Sequence, residues 1–468
     1  MAYRRIAALA IVAAFSPSQG YAQPDKGKPL EVDAAASVGA YAVDLGSGKA
    51  IWEYNANRWL TPASVTKLLT TGAALATKGS DARLHTKIEL SQDSAGGKIL
   101  CVRGEYDPTT SSRYFNKMQL ADAAKKIAEK LKSLGISELS NIIVDDSRAC
   151  QDAASPKCLW EDMGNHYGAA PTIVSIYDNN VELYYSTPQA SGELCRLDSV
   201  VPDLAGLKPR TYIKTHASAA DKSQIYMGGD DTWYATGFIP CGRKSYRLRG
   251  AMPHPTTQYG KALSELLRQN GISVSRYETG AAGAGEEVML IESPTIAEII
   301  KVTNHESVNL FADGLAFNMA MSKNAAGVVT WESAADAVMS FWREKAGLEM
   351  NLDDGSGLSP QGAVSAKTIV AAISYMRRSG EWAAYKSSLP TAGRSGTAQR
   401  LGHGTELSGR ARVKSGTMTG VMAYAGVLTT RQGREVAFCI MVNHYKETQG
   451  NLRAKIADWL IKIYNDKK

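Results

Sequence analysis

The stretch Asn57–Leu75, NRWLTPASVTKLLTTGAAL, places a proline, a serine and a lysine at the start of an apolar helical pattern. Pro62 restricts the backbone and favours a helix that begins next to Ser64. Lys67 follows three residues after Ser64, so both side chains lie on one face of the predicted helix. The serine is therefore either a helix N-cap or a nucleophile whose hydroxyl proton is accepted by Lys67.

A nucleophile of this kind needs a second hydroxyl for proton relay and an amide that holds the substrate. Ser307-Val308-Asn309 supplies both within a segment of apolar helical periodicity. A second Ser-x-Asn pattern, Ser322 with Asn324, lies in the polar segment that ends this helix. We favour the first pattern, and a solvated serine on a helix face is its structural alternative.

The third motif is Lys414-Ser415-Gly416, followed by Thr417, in a segment whose residue pattern is typical of a β-strand. On a strand, Lys414 and Gly416 point to one face and Ser415 points to the other. Lys414 can hold a carboxylate or lower the pKa of Lys67 by its like charge. The backbone N–H of Thr417, with that of the candidate nucleophile, could form an oxyanion hole. A surface lysine at a β-turn is the alternative.

The pattern of the chain changes twice along its length, which predicts an α+β fold with a long insertion. Strand-like and helical patterns mix in residues 23–86 and 292–468, which we expect to form one catalytic domain. Its first hairpin should join the terminal strands in one antiparallel sheet. Residues 87–291 are mostly short strand-like runs, with helical patches at Met118–Leu134 and Gly260–Asn270, and are expected to form two inserted subdomains.

The N-terminus has the pattern of a secretory signal. Arg4 and Arg5 precede the apolar run Ile6–Phe15, and small residues precede Gln23. We therefore expect residues 1–22 to be removed and the mature chain to be exported to the periplasm. No later stretch reaches about 18 uninterrupted apolar residues, so a membrane-spanning helix is not expected, while peripheral membrane association stays open.

Six cysteines in an exported chain favour disulfides. Cys150 and Cys158 flank a polar loop and are the favoured pair, and Cys195 with Cys241 is a second candidate. Two further cysteines lie in apolar runs and are expected to be buried thiols: Cys101 and Cys439.

Neither the histidines nor the charges indicate a metal or a nucleic acid. The seven histidines are scattered, and no Cys-x-x-Cys or His-Glu-x-x-His pattern occurs, so no metal or cofactor is expected. The formal net charge of +7 is too small and too dispersed to predict nucleic-acid binding. A mild basic excess instead suits an acidic substrate such as the cell wall.

In chain order and in element type, the three motifs resemble those of the low-molecular-mass class C penicillin-binding proteins of the penicillin-binding protein 4 type. These are D-alanyl-D-alanine carboxypeptidase/endopeptidases. The resemblance covers roughly Ser37 to Asn443, and the long separation of Ser64 from Ser307 is typical of this family rather than of serine β-lactamases. Other similar segments are Gly104–Thr110, Ile142–Ser147, Leu159–Asn180, Asp353–Ser359 and Leu389–Thr397.

The resemblance implies a serine β-lactamase/DD-peptidase-like fold, with Ser64 as the acylated nucleophile and Lys67 as the general base. The other implied catalytic residues are Ser307, Asn309 and Lys414, and the implied substrate-binding residues are Ser415, Gly416 and Thr417. Threonine is common in the family where this chain has Ser415, and the hydroxyl is retained.

The implied reaction is acyl transfer without a cofactor. The enzyme would remove terminal D-alanine from peptidoglycan stem peptides or cleave D-Ala cross-links, and β-lactam antibiotics would inhibit it. The hydroxyls of Ser415 and Thr417, with Lys414, are candidates for binding the substrate carboxylate.

Two other functions are compatible with the motifs. A β-lactam-hydrolysing enzyme would use the same groups, and the long insertion argues against it. A non-catalytic wall-binding protein could keep the fold, and the presence of every catalytic residue type argues against that. The sequence leaves open the oligomeric state and the balance of carboxypeptidase and endopeptidase activity.

Overall fold

The structure is a computed structural model that describes residues 27–116, 119–150, 154–204, 208–218, 220–227, 232–324 and 327–466. The predicted signal peptide, residues 1–22, lies outside the described residues, as does Met118 at the start of a predicted helical patch. The first elements are β1 (Ser37–Asp44), β2 (Ala50–Tyr54), β3 (Trp59–Leu60) and α1 (Lys67–Lys78).

The following region is mostly strands with two helices. Its elements are β4 (Arg83–Gln92), β5 (Lys98–Arg103), α2 (Leu120–Ser133), β6 (Glu138–Leu139), β7 (Asn141–Asp145), β8 (Asn180–Ser186), β9 (Arg196–Val201), β10 (Arg210–Thr211), β11 (Lys214–His216), β12 (Lys222–Met227), β13 (Trp233–Pro240), β14 (Tyr246–Ala251), α3 (Pro255–Gln269), β15 (Ser273–Val274), β16 (Tyr277–Gly280) and β17 (Glu286–Thr295).

Helices then dominate until the last three strands. The elements are α4 (Ile296–His305), α5 (Asn309–Lys323), α6 (Trp331–Ala346), β18 (Val364–Ser365), α7 (Ala366–Arg378), α8 (Trp382–Ser388), β19 (Ala411–Met418), β20 (Val421–Thr429), β21 (Glu435–Asn443) and α9 (Gln449–Tyr464).

A five-stranded antiparallel sheet joins the two ends of the chain, as predicted. Its order is β19-β20-β21-β1-β2, so the first hairpin pairs with the last strand. Helix α9 packs on one face, where Phe438 contacts Trp459, and Cys439 on the other face belongs to the core shared with the remaining helices. Both faces are covered, which explains why β21 is apolar at nearly every position.

Helix α1 lies at the centre of the helical layer, in contact with α4, α5, α6, α7 and α8. Every residue from Lys67 to Leu75 is buried, so this helix lacks a polar face. Gly72 lies against the ring of Trp342, and the Trp342 Nε1 donates to the Leu69 carbonyl at 3.0 Å. These contacts fix the helix that carries Lys67.

The segment of helical periodicity that contains Ser307 forms two helices instead of one. Helix α4 ends at His305 and α5 begins at Asn309. Ser307 lies in the connection with φ of +61°, a left-handed conformation that non-glycine residues seldom adopt. The apolar periodicity continues on both sides of this break and therefore conceals it.

The region between α1 and α4 contains several small sheets. Strands β16-β7-β5-β4-β17 form one sheet, beside which α2 and α3 pack. Strands β14-β8-β9 form a second sheet, and β10-β13-β11 with β12 form a third. Strand β4 pairs antiparallel with β17, so the strand that enters this region and the strand that leaves it lie next to each other. This pairing supports the division into a catalytic domain and an insertion, which stays a prediction.

The disulfide prediction is wrong for this structure: Cys150 is not bonded to Cys158, and Cys195 is not bonded to Cys241. The Cys158 thiol donates instead to the adjacent Leu159 carbonyl at 3.2 Å. Spacing along the chain does not fix the separation and direction of the Cβ atoms that a disulfide requires. The expected buried thiols are confirmed: Cys101 and Cys439.

Within the part of the chain that the structure describes, every helix is too short or too polar to span a lipid bilayer.

Candidate active site

A cleft of about 390 Å³ opens at β19, which is an edge strand of the five-stranded sheet. Four of the predicted site residues line it: Ser64, Ser307, Ser415 and Thr417. The loop before β19 and the first turns of α9 supply the rest of the wall, including Thr397, Gln399, Arg400 and Arg453.

Ser64 lies in a short 3-10 turn, Ala63–Thr66, immediately before α1. The N-cap of α1 is Thr66, and no side chain caps either this turn or the helix. The N-cap interpretation of Ser64 is therefore wrong for this structure. Ala63 has φ of +47°, and a Cβ on Gly357 would lie 2.0 Å from the Ala63 carbonyl oxygen, so a closely fitting loop holds the turn.

Lys67 is fully buried, and its Nζ contacts three oxygen atoms. The Ser64 Oγ lies at 3.0 Å, the Asn309 Oδ1 at 2.6 Å and the Ser356 carbonyl oxygen at 2.8 Å. An ammonium group has three N–H donors, so the protonated side chain is fully satisfied here. The structure thus joins the first and second motifs through one amine.

Burial lowers the pKa of Lys67 to about 8, although the carboxylates of Asp313 and Asp354 oppose the shift. Both aspartates are buried. Asp354 accepts three backbone N–H groups of its own loop, including that of Gly357 at 2.5 Å, and Asp313 accepts the Gly355 N–H at 2.9 Å. The two carboxylates therefore hold the loop whose Ser356 carbonyl contacts Lys67.

Lys414 and Ser307 form a second hydrogen-bonded pair in the cleft. The Lys414 Nζ donates to the Ser307 Oγ at 2.9 Å and to the Ser415 carbonyl at 2.7 Å. Burial, and then the charge of Lys67, hold the pKa of Lys414 well below its usual range. The left-handed backbone of Ser307 directs its hydroxyl toward β19 instead of along a helix face.

The register of β19 with β20 divides the third motif between two faces. Lys414 and Gly416 pair with alanines that belong to the core of the helical layer, whereas Ser415 pairs with Tyr424 on the α9 face. A Cβ on Gly416 would lie 2.5 Å from the Pro62 carbonyl oxygen and 3.0 Å from the Ser64 nitrogen. The edge strand therefore lies directly against the turn that carries the candidate nucleophile.

The region between α1 and α4 also reaches the site. The Asn309 Nδ2 donates to the Tyr167 carbonyl at 2.8 Å, and the Tyr167 hydroxyl donates to Asp162 at 2.9 Å. Asn309 thus connects Lys67 on one side with the segment that begins at Leu159 on the other. The sequence identified this segment as similar to the penicillin-binding protein family, but it did not predict this contact.

Several residues that contribute to the site, either in the cleft wall or by their charge near Lys67, were not predicted from the sequence. Asp313 lies inside the apolar helix α5 and is brought to the site by contacts that are distant in sequence. Arg400 and Arg453 belong to no motif, and nothing in their sequence neighbourhood marks them. In the described residues, no group of three or more His, Cys, Asp or Glu side chains has an arrangement suited to a metal ion.

Comparison with known proteins decides the family. A family model, the D-Ala-D-Ala carboxypeptidase 3 (S13) family, matches residues 30–463. The chain belongs to this family. The resemblance drawn from the three motifs is thereby confirmed, as is the prediction that the chain is a hydrolase of the serine-type D-Ala-D-Ala carboxypeptidase class.

Individual relatives of this S13 member span most of its length. A D-alanyl-D-alanine carboxypeptidase from Actinomadura sp. (strain R39) is 28% identical over 432 residues, which cover 86% of this chain and 77% of the relative. A penicillin-sensitive carboxypeptidase A from Dictyostelium discoideum is 24% identical over 440 residues, covering 86% of this chain and 82% of the relative.

The crystal structure of penicillin-binding protein 4 from Haemophilus influenzae matches with a TM-score of 0.78 and 20% identity, covering 93% of this chain and 98% of that chain. The same protein in complex with a β-lactam matches with a TM-score of 0.73 and the same identity and coverage. This likeness confirms the predicted α+β fold of the DD-peptidase type. The roles of individual side chains stay predictions.

Proposed function

We propose that this S13 member is an exported, periplasmic serine carboxypeptidase and endopeptidase that acts on peptidoglycan stem peptides through an acyl-enzyme. The observation that carries the proposal is the 3.0 Å contact between the Ser64 Oγ and the buried Lys67 Nζ at the edge of the cleft. A lysine whose pKa is lowered to about 8 can act as a base near neutral pH.

In the acylation step, neutral Lys67 accepts the hydroxyl proton of Ser64. The Ser64 Oγ then attacks the carbonyl carbon of the peptide bond before the terminal D-alanine. The negative charge that develops on the carbonyl oxygen is stabilised by the backbone N–H groups of Ser64 and Thr417. The close approach of Gly416 to the Ser64 turn supports this pairing.

The leaving amine needs a proton when the tetrahedral intermediate collapses. Ser307 is suited to donate it, because its hydroxyl contacts Lys414, which can replace the proton. Release of D-alanine leaves an ester on Ser64, which water hydrolyses by the reverse proton transfers. Asn309 is suited to hold the substrate amide and to orient Lys67.

Cleavage of a cross-link requires the same chemistry with a larger leaving group. The wall residues of the loop before β19, Thr397, Gln399 and Arg400, are exposed to solvent, which supports the admission of such a leaving group. A β-lactam would acylate Ser64 in the same way. Two similar proteins support this inhibition: the Dictyostelium relative is penicillin-sensitive, and the Haemophilus protein was crystallised with a β-lactam.

Intact mass spectrometry after incubation with benzylpenicillin tests the proposal. We expect a lasting increase by one penicillin on the wild type and on Ser322→Ala, and none on Ser64→Ala. Ser322 is a suitable control because it lies outside the cleft, where its hydroxyl donates to a carbonyl of α5 and accepts from the Lys78 Nζ. Rapid hydrolysis without an adduct would favour the β-lactamase, and neither adduct nor hydrolysis would favour a non-catalytic wall-binding protein.

A further inference from the structure

The cleft contains cationic groups that the proposed reaction does not use. Lys414, the lysine expected from the sequence to hold a carboxylate, is fully buried, and its Nζ already contacts the Ser307 Oγ and the Ser415 carbonyl. Among the described residues that line the cleft, the charged groups are instead two arginines: Arg400 in the loop before β19 and Arg453 on α9.

Neither arginine forms an ion pair with a carboxylate among the described residues. Arg453 is half-buried, and its Nε donates to the Tyr424 hydroxyl at 3.2 Å. Arg400 is exposed at the rim. A half-buried guanidinium without a charged partner retains unused donors, which a carboxylate satisfies with two parallel hydrogen bonds.

The position of Tyr424 places Arg453 within the site. Tyr424 is the direct cross-strand partner of Ser415, so both side chains project from the same face of the sheet. The Arg453 head group, held by Tyr424, therefore lies beside Ser415 and Thr417. These hydroxyls are the candidates for the carboxylate of the departing residue, and they are neutral donors that supply no charge.

We propose that Arg453, assisted by Arg400 at the rim, binds the α-carboxylate of the residue that leaves when the acyl-enzyme forms. The inference rests on the proposed function and makes it more specific. The preferred substrates are peptides and cross-links in which the residue after the scissile bond carries a free carboxylate on its α-carbon. Tyr424 is a positioning residue that holds the guanidinium at the cleft.

The competing explanation is structural. Arg453 could serve only to tie α9 to the sheet through Tyr424, in which case its removal would affect every substrate equally. A carboxylate-binding role has a different signature, because its loss affects only substrates that present the carboxylate. The two roles can therefore be distinguished by measuring each protein variant with a substrate that carries the carboxylate and with one that lacks it.

The experiment measures kcat/KM for an N-acylated peptide that ends in D-Ala-D-Ala and for the same peptide with a C-terminal amide. The proteins are the wild type, Arg453→Gln, Arg453→Lys, Arg400→Gln and Arg394→Gln. Arg394 is the matched control because it is an exposed arginine of the same loop outside the cleft. Release of D-alanine or D-alaninamide is the readout.

We expect Arg453→Gln to reduce kcat/KM for the carboxylate peptide by roughly 10- to 100-fold and to leave the amide peptide within about twofold. Arg453→Lys should retain part of the preference. Arg400→Gln should cost roughly 2- to 5-fold because its charge is exposed, and Arg394→Gln should cost nothing. An equal loss on both peptides in Arg453→Gln would overturn the proposal.

An N-acyl-D-alanyl thioester with an uncharged thiol separates this inference from the proposed function. The thioester lacks the carboxylate, so wild type and Arg453→Gln should be acylated equally, which also shows that the variant is folded. Acylation of the wild type without a substrate-dependent loss in Arg453→Gln refutes only the inference. Failure of the wild type to react with both the thioester and the peptides refutes the proposed function and the inference together.

Discussion

Gly416→Ala tests whether the edge strand β19 forms one wall of the catalytic site. A Cβ at this position would lie 2.5 Å from the Pro62 carbonyl oxygen and 3.0 Å from the backbone nitrogens of Ser64 and Val65. Ordinary van der Waals contact of a Cβ begins at 3.4 Å, so the strand or the nucleophile turn has to move by about 0.9 Å. All the obstructing atoms are backbone atoms, so no side chain can rotate away.

A displacement of this size separates the Ser64 turn from the N–H groups of β19. A misplacement of about 1 Å costs on the order of 100-fold in rate, and loss of one oxyanion donor costs about 100- to 1,000-fold. We therefore expect acylation by benzylpenicillin, followed by intact mass over time, to slow by at least about 100-fold. Overpacking should lower the free energy of unfolding by about 1–3 kcal/mol, which leaves the chain folded.

Gly380→Ala is the matched control, since its added Cβ has no neighbour within 4 Å and the residue lacks a positive φ. It should be acylated at the wild-type rate. Gly416→Ala could show the thermal unfolding transition of a folded protein and still be acylated at a rate within about threefold of wild type, far less than the loss expected from misplacement. In that case β19 does not form this wall. The assignment of the Thr417 N–H to the oxyanion hole would fall with it.

Three further outcomes follow from the site and its scaffold. The acylation rate should rise with pH through about 8, because Lys67 is a base only after it loses its proton. Lys67→Arg should be inactive across the same pH range, and a flat wild-type profile would contradict this role. Ser307→Gly should be more stable to urea than Ser307→Ala by about 1 kcal/mol, because glycine adopts the left-handed backbone conformation without strain. Both variants should be acylated slowly, and equal stability of the two would contradict the presence of strain at this residue. Trp342→Phe should lower the free energy of unfolding by about 1–3 kcal/mol, because a buried hydrogen bond to α1 is lost. Trp59 is half-exposed, so Trp59→Phe should change this free energy little. Similar losses in the two variants would contradict this account.

The predicted site residues that the structure brings together belong to short motifs whose geometry is local. Ser64 and Lys67 are one helical turn apart, and Lys414 and Gly416 alternate on a strand, so their relative directions follow from backbone geometry. The structure brings these groups together with Ser307 and Asn309. The α+β fold was predictable for a similar reason, because the terminal strands are apolar on both faces and have to be covered on both.

The residues that the sequence did not identify depend on contacts between distant segments. The hydrogen bond from Arg453 to Tyr424 depends on how α9 packs on the sheet, which no local pattern encodes. The break at Ser307 is hidden for another reason: α4 and α5 both present apolar faces to α1, so the periodicity continues through the connection. The failed pairing of Cys150 with Cys158 shows the same limit of spacing along the chain.

The electrostatics of the site support the proposal that a group outside the buried cluster binds the substrate carboxylate. Lys67, Lys414, Asp313 and Asp354 are all buried, and their charges can balance, which makes their burial tolerable. Burial lowers the pKa of both lysines and raises the pKa of both aspartates, so the cluster favours states with fewer charges.

A lowered pKa suits Lys67 as the proposed base, because a larger fraction of its amine is then neutral near neutral pH. Lys414 is a poor partner for a substrate carboxylate, since its Nζ is buried and already contacts the Ser307 Oγ and the Ser415 carbonyl. Arg453 has the complementary property, because its guanidinium lines the cleft and presents N–H donors in a planar fork that matches a carboxylate. In the proposed mechanism, proton transfer is therefore the role of Lys67, and recognition of the substrate carboxylate is the role of Arg453.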